Sequence, residues 1–422
     1  FMIYRFFKNT FLFVLIIIVS CGRSKGQINT ENSEKEQPVE SHQNSLNSDE
    51  LLVLGANRTE EFLPLLKNKK IGIVGNQSSL IKRSSSSSQA HIYTHLVDSL
   101  VALKVNVVKV FAPEHGFRGT ADAGESIRDG KDVITGLPII SLYGDNKKPK
   151  PEQLKDIELM IFDLQDVGAR FYTYISTLHY VMEACAENNI PLLLLDRPNP
   201  NGHYVDGPTL KMKHHSFVGM HPIPVVHGLT IGEYAQMING EKWLKNGIQC
   251  KLQVVKMANY KHELAYKLPV KPSPNLPNAR AINLYPSLCF FEGTNVNAGR
   301  GTTKQFQVFG SPFLAKEIYK YTYTPISMDG AKSPKHMNEL CYGEDLSESE
   351  FLNRVNLNWL IEAYSNTLNK EEFFNSFFTK LAGGTELQKQ IESGMSSEEI
   401  RATWQEDLAE FKNKRAKYLL YN

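Results

Sequence analysis

The chain has 422 residues, 41% hydrophobic and 22% charged. That length exceeds what one hydrophobic core usually fills, so two domains are expected. A formal net charge of +2, with no clustered basic run, argues against a nucleic-acid binder.

The first 21 residues stand apart from the rest. Arg5 and Lys8 precede an apolar run, Phe11 to Val19, that ends at Ser20 and Cys21. A charged start, a short apolar stretch and a small residue before the cut make a secretion signal. The run is shorter than the roughly 20 apolar residues that span a bilayer. Ile18-Val-Ser-Cys21 resembles the bacterial lipobox, which makes Cys21 the expected lipidated first residue of the mature protein. The expected location is extracytoplasmic, on a periplasmic or outer-membrane face; a plain cleaved signal with an incidental cysteine is the alternative. Residues 22–48 are rich in Ser, Asn, Gln, Glu and Lys and carry almost no large apolar side chains. Such a segment cannot bury enough surface to order itself and reads as a tether.

A catalytic domain is expected over residues 49–270. Four short apolar runs, at 71–75, 107–112, 159–162 and 191–195, read as strands of a parallel sheet buried on both faces. Between the third and fourth, Phe171, Tyr174, Ile175, Leu178, Val181, Met182 and Cys185 recur at helical spacing, and Asn188-Asn189 closes the helix. The gaps between strands are long enough for helical crossovers. The fold class is α/β, a Rossmann-like doubly wound sheet. Ser84 to Ser88 reads as a loop. Residues 271–422, with a Pro-rich loop, a Gly- and Asn-rich stretch at 290–304 and a helical end, read as a smaller α+β domain. It is expected to pack against the first.

The strands exit into polar residues: Asn76-Gln77, Pro113-Glu114-His115, Asp163-Leu-Gln165-Asp166 and Asp196-Arg197. In open α/β sheets the ligand crevice lies outside the carboxyl ends of the strands, so these exits are candidates for a site. Neither a Gly-x-Gly-x-x-Gly turn nor a Walker lysine motif follows the first strand, and the scattered histidines offer no metal-ligand spacing. No Gly-x-Ser-x-Gly elbow is present either. No cofactor and no metal are expected. Cys185, Cys250, Cys289 and Cys341 fit no zinc pattern and read as buried free thiols.

Glu114 leaves an apolar strand directly for the expected cleft, the setting a general acid requires. His115 beside it either relays protons or caps a turn. Glycoside hydrolysis usually needs two carboxyl groups. Asp163, Asp166, Glu125 and Glu292 are candidates for the second, with a salt bridge to Arg170 or Arg197 as the structural alternative for Asp163 and a helix cap for Asp166. A 2-acetamido group on the substrate is a further possible nucleophile. Arg300, flanked by glycines and near Asn295 and Lys304, has the planar fork that suits a carboxylate. Tyr172, Tyr174 and Tyr180 read as helix packing or as sugar-stacking rings.

Several motifs occur in order. They are Gly75-Asn-Gln-Ser78, Phe111-Ala-Pro-Glu-His-Gly-Phe-Arg-Gly119, Ala121-Asp-Ala-Gly-Glu125, Gly136-Leu-Pro-Ile139 and Ser141-Leu-Tyr-Gly144. Phe162-Asp-Leu-Gln-Asp-Val-Gly-Ala-Arg-Phe-Tyr-Thr-Tyr174, Leu195-Asp-Arg-Pro-Asn-Pro200, Phe217-Val-Gly-Met220, Pro272-Ser-Pro-Asn275, Phe291-Glu-Gly-Thr-Asn295 and Lys417-Tyr-Leu-Leu-Tyr421 follow. Together, over residues 50–422, they resemble the exo-β-N-acetylmuramidase (NamZ/YbbC-like) family of glycoside hydrolases. The resemblance implies a Rossmann-like catalytic domain, a smaller C-terminal auxiliary domain, a substrate cleft between them and no metal or nucleotide. It implies removal of β-linked N-acetylmuramic acid from the non-reducing ends of peptidoglycan glycan strands or muramyl disaccharides. It places the catalytic carboxyl at Glu114, and it makes Asn76, Arg118, Asp163, Gln165, Arg170, Arg197, Glu292, Asn295 and Arg300 site-lining. The lactyl carboxylate of the substrate calls for a basic partner, and Arg300 is favoured. The alternatives are a non-catalytic peptidoglycan-binding lipoprotein and a hydrolase of wall peptides.

Overall fold

The computed structural model describes residues 52–83, 92–119 and 129–422. The signal, the tether, Cys21, the serine run and Glu125 lie outside the described residues.

The first lobe is built on the strands β1 (Ile71–Gly75), β2 (Leu80–Arg83), β3 (Ile92–His95), β4 (Val107–Ala112), β5 (Gly130–Lys131), β6 (Pro138–Ser141), β7 (Leu159–Asp163), β8 (Leu192–Leu195) and β9 (Leu252–Val255). Seven of them form one sheet in the order β5-β6-β4-β1-β7-β8-β9, while β2 and β3 pair separately as an antiparallel ribbon. All neighbours in the large sheet are parallel except β5, which runs antiparallel along β6. Counted along the chain, the six parallel strands lie in the order 3-2-1-4-5-6, the doubly wound Rossmann arrangement. The four expected strands are all there. β6 and β9 carry no continuous apolar run, because both are only partly buried.

Period-two alternation gives the sheet two apolar faces. Ile71, Ile73, Val110, Ala112, Ile161 and Leu193 point to one side, where Phe62, Leu66, Leu96 and Leu100 of two helices cover them. Val74, Phe111, Met160, Phe162, Leu192 and Leu194 point to the other, beneath helices Tyr174–Glu187 and Ile231–Gly240. Helix Tyr174–Glu187 starts three residues later than its apolar spacing suggests. The chain first bridges to the 225–226 segment through Ala169 and the Arg170 amide.

The second lobe holds β10 (Val308–Ser311), β11 (Tyr321–Tyr323) and β12 (Cys341–Asp345), an antiparallel sheet in the order β10-β12-β11. Helices Glu386–Glu392, Ser397–Ala402 and Gln405–Arg415 bury the expected Ile391, Ile400, Trp404, Leu408 and Phe411. One continuous core runs from the second face of the sheet into this lobe, through Phe171, Tyr285, Phe290 and Phe306. The chain's end returns to the first lobe, where the Tyr421 hydroxyl donates to Asp196 Oδ2 at 2.6 Å at the end of β8. The four described cysteines are buried free thiols. No helix among the described residues is long and apolar enough to cross a membrane.

Beneath the long helix lies a chain of buried polar rings. His179 Nδ1 is 2.9 Å from His221 Nε2, and His221 Nδ1 is 2.9 Å from the Tyr234 hydroxyl. Burial lowers both histidines below their usual range, and at His221 the neighbouring His179 pushes the same way. The neutral forms are therefore the folded forms. Unfolded histidine takes up its proton near pH 6.5, so stability from this pair is present above that value and is lost as pH falls below it. Replacing His221 by Phe is expected to shrink the drop in urea midpoint between about pH 7 and pH 5 relative to the parent. Equal drops in the two proteins would show that the pair does not titrate on unfolding.

Candidate active site

A cleft of ≈ 770 Å³ opens between the lobes. Its first-lobe wall carries Glu114, Tyr143, Phe171, Thr173, Phe217 and Val218. Its second-lobe wall carries Tyr285, Glu292, Arg300 and the segment from Gly330 to Lys335. Glu114 reaches it because β4 ends at Ala112 and the chain turns sharply. His115 and Gly116 both have positive φ, 72° and 78°, and His115 itself points into the interior. A non-glycine residue held at such a φ is a strained conformation that the surroundings must impose. The Thr173 hydroxyl, at the start of helix Tyr174–Glu187, donates to Glu114 Oε2 at 2.7 Å and fixes the carboxyl. Gly119, at φ 77°, serves a different contact from a ligand, since a Cβ there would meet Gln77 at 2.7 Å.

The other three predicted exits do not open on the cleft. The switch point between β1 and β7 is filled by the protein itself. Arg197 and Asp163, both buried, form a two-point ion pair at 2.6 and 2.9 Å. Asn76 donates to the Tyr174 hydroxyl at 2.6 Å and accepts from Ser78. Gln165 donates to the carbonyls of Asp166 and Pro198. The hydroxyls of Tyr172 and Tyr174 donate to Pro272 O, so these two rings are packing, whereas Tyr180 stacks on Phe217 of the cleft wall at 6.3 Å.

Asp166 is buried in its own turn and accepts from the Gly168 amide at 2.7 Å; burial pushes its carboxyl up to about 7, against two backbone amides. It caps no helix, because the helix begins at Tyr174. Of the four expected second carboxyls, then, Asp163 is paired, Asp166 is enclosed and Glu125 lies outside the described residues. Glu292 lines the cleft.

The basic candidates divide in the same way. Arg118 is clamped between Asp98 and Asp132 at 2.9 and 2.7 Å. Burial opposes the charge on Asp132, but the Arg118 guanidinium holds its carboxyl well below the usual range. Arg170 is wholly buried with no carboxylate partner among the described residues, donating to the carbonyls of Pro208, Ile223 and, from the second lobe, Leu381. Arg118, Arg170 and Arg197 are thus committed to the framework rather than to the cleft. Arg300 lines the cleft, with its Nε donating to Glu292 Oε1 at 3.0 Å and its guanidinium 5.3 Å from the Phe306 ring. Asn295 turns its amide inward, where neither end finds a hydrogen-bond partner among the described residues. Lys304 pairs with Asp345 at 2.5 Å away from the cleft.

Thr173, Tyr143, Phe217, Tyr285 and the 330–335 segment are site residues that composition and spacing do not single out. Tyr143, Thr173 and Phe217 lie within family motifs, and that is the one signal that marks them. No group of three His, Cys, Asp or Glu side chains that could hold a metal occurs among the described residues.

A Rossmann-order sheet, a second lobe and a cleft lined by two carboxyls, aromatic rings and basic side chains define a two-lobed α/β enzyme. Family models described as exo-beta-N-acetylmuramidase NamZ, N-terminal and C-terminal, match residues 71–280 and 283–421. The chain belongs to this family, and by class it is a glycosidase. It is 39% identical over 380 residues to the peptidoglycan beta-N-acetylmuramidase NamZ of Bacillus subtilis (strain 168), covering 86% of this chain and 89% of that protein. Two crystal structures of DUF1343 family proteins from Bacteroides fragilis NCTC 9343 are similar as well. One is 46% identical with a TM-score of 0.78, the other 29% identical with a TM-score of 0.73; each match covers 88% of this chain and 99% of the other.

The switch-point pair gives a test of framework against site. Asp163→Ala leaves the buried Arg197 without its counter-charge, and a loss of about 3–5 kcal/mol in urea unfolding is expected. A loss below about 1 kcal/mol would mean that the pair is solvated and does not close the switch point.

Proposed function

We propose that the chain is a peptidoglycan β-N-acetylmuramidase acting from the non-reducing end of glycan strands, with Glu114 as general acid. The observation that carries this reading is the Glu114 carboxyl at the end of β4, set in an interlobe cleft within a NamZ family member. In this reading Glu114 hands its proton to the departing sugar oxygen while the Thr173 hydroxyl keeps it aimed. The second carboxyl is Glu292, on the facing wall; where the substrate's acetamido group attacks in its place, Glu292 orients that group.

Arg300 supports recognition of the lactyl carboxylate. Its Nε is held by Glu292, and its Nη groups have no hydrogen-bond partner among the described residues. A planar fork fixed at one corner is preorganised for a carboxylate. Tyr143 and Phe217 supply flat apolar surface on the opposite side, suited to a sugar face. We propose further that the enzyme works outside the cytoplasm, tethered through a lipidated Cys21, on the strength of the lipobox-like Ile18-Val-Ser-Cys21.

The test is turnover of a chromogenic β-N-acetylmuramide by the purified protein. Glu114→Gln is expected to fold normally and to lose about 10²-fold or more in kcat. Full activity in that variant removes Glu114 from the mechanism, and affinity without turnover in the parent makes the protein a wall binder. Arg300→Gln is expected to raise KM about ten-fold for the muramide but not for the matching N-acetylglucosaminide, which lacks the lactyl group. Equal effects on both substrates would dissociate Arg300 from the carboxylate.

A further inference from the structure

The second-lobe wall of the cleft is held in an unusual way. Lys335 sends its ammonium into the bend that carries Glu292. There it donates to the backbone carbonyls of Phe291 and Val296, each at 2.9 Å, and to that of Thr294. All three ammonium protons are used, and among the described residues no carboxylate lies within ion-pair distance. The same bend is tied to the Lys335 segment twice more. Asn297 Nδ2 donates to the carbonyls of both Arg300 and Lys335, at 3.1 and 2.8 Å, and His336 Nε2 lies 2.6 Å from Asn295 O. Behind them Gly301, at φ 82°, packs so closely that a Cβ would meet Pro334 at 2.6 Å. Glu292 and Arg300 stand at the two ends of this bend, and both line the cleft.

We propose that Lys335 is a positioning residue, whose protonated ammonium gathers three carbonyls and so sets the Glu292–Arg300 wall in its substrate-binding shape. Charge-assisted hydrogen bonds to carbonyls are worth more than neutral ones. An ammonium satisfies three acceptors, whereas a neutral amine donates two protons and turns a lone pair towards the third carbonyl. Deprotonation therefore loosens the bend. Burial draws Lys335 down to about 8; of the charged groups that face it, Arg300 pushes the same way and Glu292 opposes. The wall is firm below that pH and relaxes above it.

The kinetic arm rests on the muramidase reading, and amide exchange provides an arm that does not. With the chromogenic muramide, parent KM is expected to rise above pH about 8, while kcat follows the ionisation of the general acid alike in the parent and in a Lys335 variant, because Lys335 acts through the wall and not on a reacting atom. Lys335→Met is expected to show a KM about ten-fold higher near pH 7, kcat within about two-fold, and no further rise with pH. Hydrogen exchange of the 291–300 amides is expected to be at least about ten-fold faster in Lys335→Met than in the parent near pH 7. A parent KM that stays flat to about pH 9.5, a variant that loses kcat instead, or unchanged exchange over 291–300 overturns the proposal. If the parent turns over no muramide, the muramidase reading fails, and the exchange result still decides the role of Lys335.

Discussion

The buried pair of Arg197 and Asp163 fills the place where a doubly wound sheet ordinarily binds its ligand. In a doubly wound sheet the natural hollow is the switch point, where neighbouring crossovers leave in opposite directions. Here that hollow holds a guanidinium against a carboxylate, with the guanidinium also donating to Leu80 O and the Ser79 hydroxyl donating to Asp163 O. Two desolvated charges are tolerated because each satisfies the other at two points. With the usual hollow filled, the open space moves to the next strand end, where β4 delivers Glu114 to the gap beneath the second lobe.

Much of the framework was legible in the sequence, because the physics of a covered parallel strand is local. Ile71–Gly75 and Val107–Ala112 are apolar throughout since both of their faces are buried, and so they announce themselves. Partly exposed strands such as Leu252–Val255 and Pro138–Ser141 lack that texture, and only their neighbours make them strands. The long helix was legible from its spacing, but its first turn was not. The bridge at Ala169 that delays it depends on residues more than 50 positions away.

Of the cleft lining, the places of Glu114, Glu292 and Arg300 were legible in the sequence and most of the remaining wall was not. Glu114 follows a strand directly, so its place follows from one local fact. The fates of Arg118, Arg170 and Arg197 depend on partners that no spacing rule brings together, such as Asp98 for the first and Leu381 for the second. A strand exit rich in acids and arginines reads equally well as a binding site or as a buried network, and here most of it is the network. Lys335 illustrates the reverse failure. Its partners are backbone carbonyls, which carry no residue identity to be read.

Arg170 also bears on how the enzyme opens. Its guanidinium spans the lobes with hydrogen bonds to carbonyls of both, inside a core that is continuous across them. Rocking one lobe against the other would strand that charge in apolar surroundings and tear a packed interior. The gap is therefore a fixed jaw rather than a closing one. A substrate has to enter a ready-made slot, so discrimination rests on shape at entry rather than on a clamp that shuts after capture.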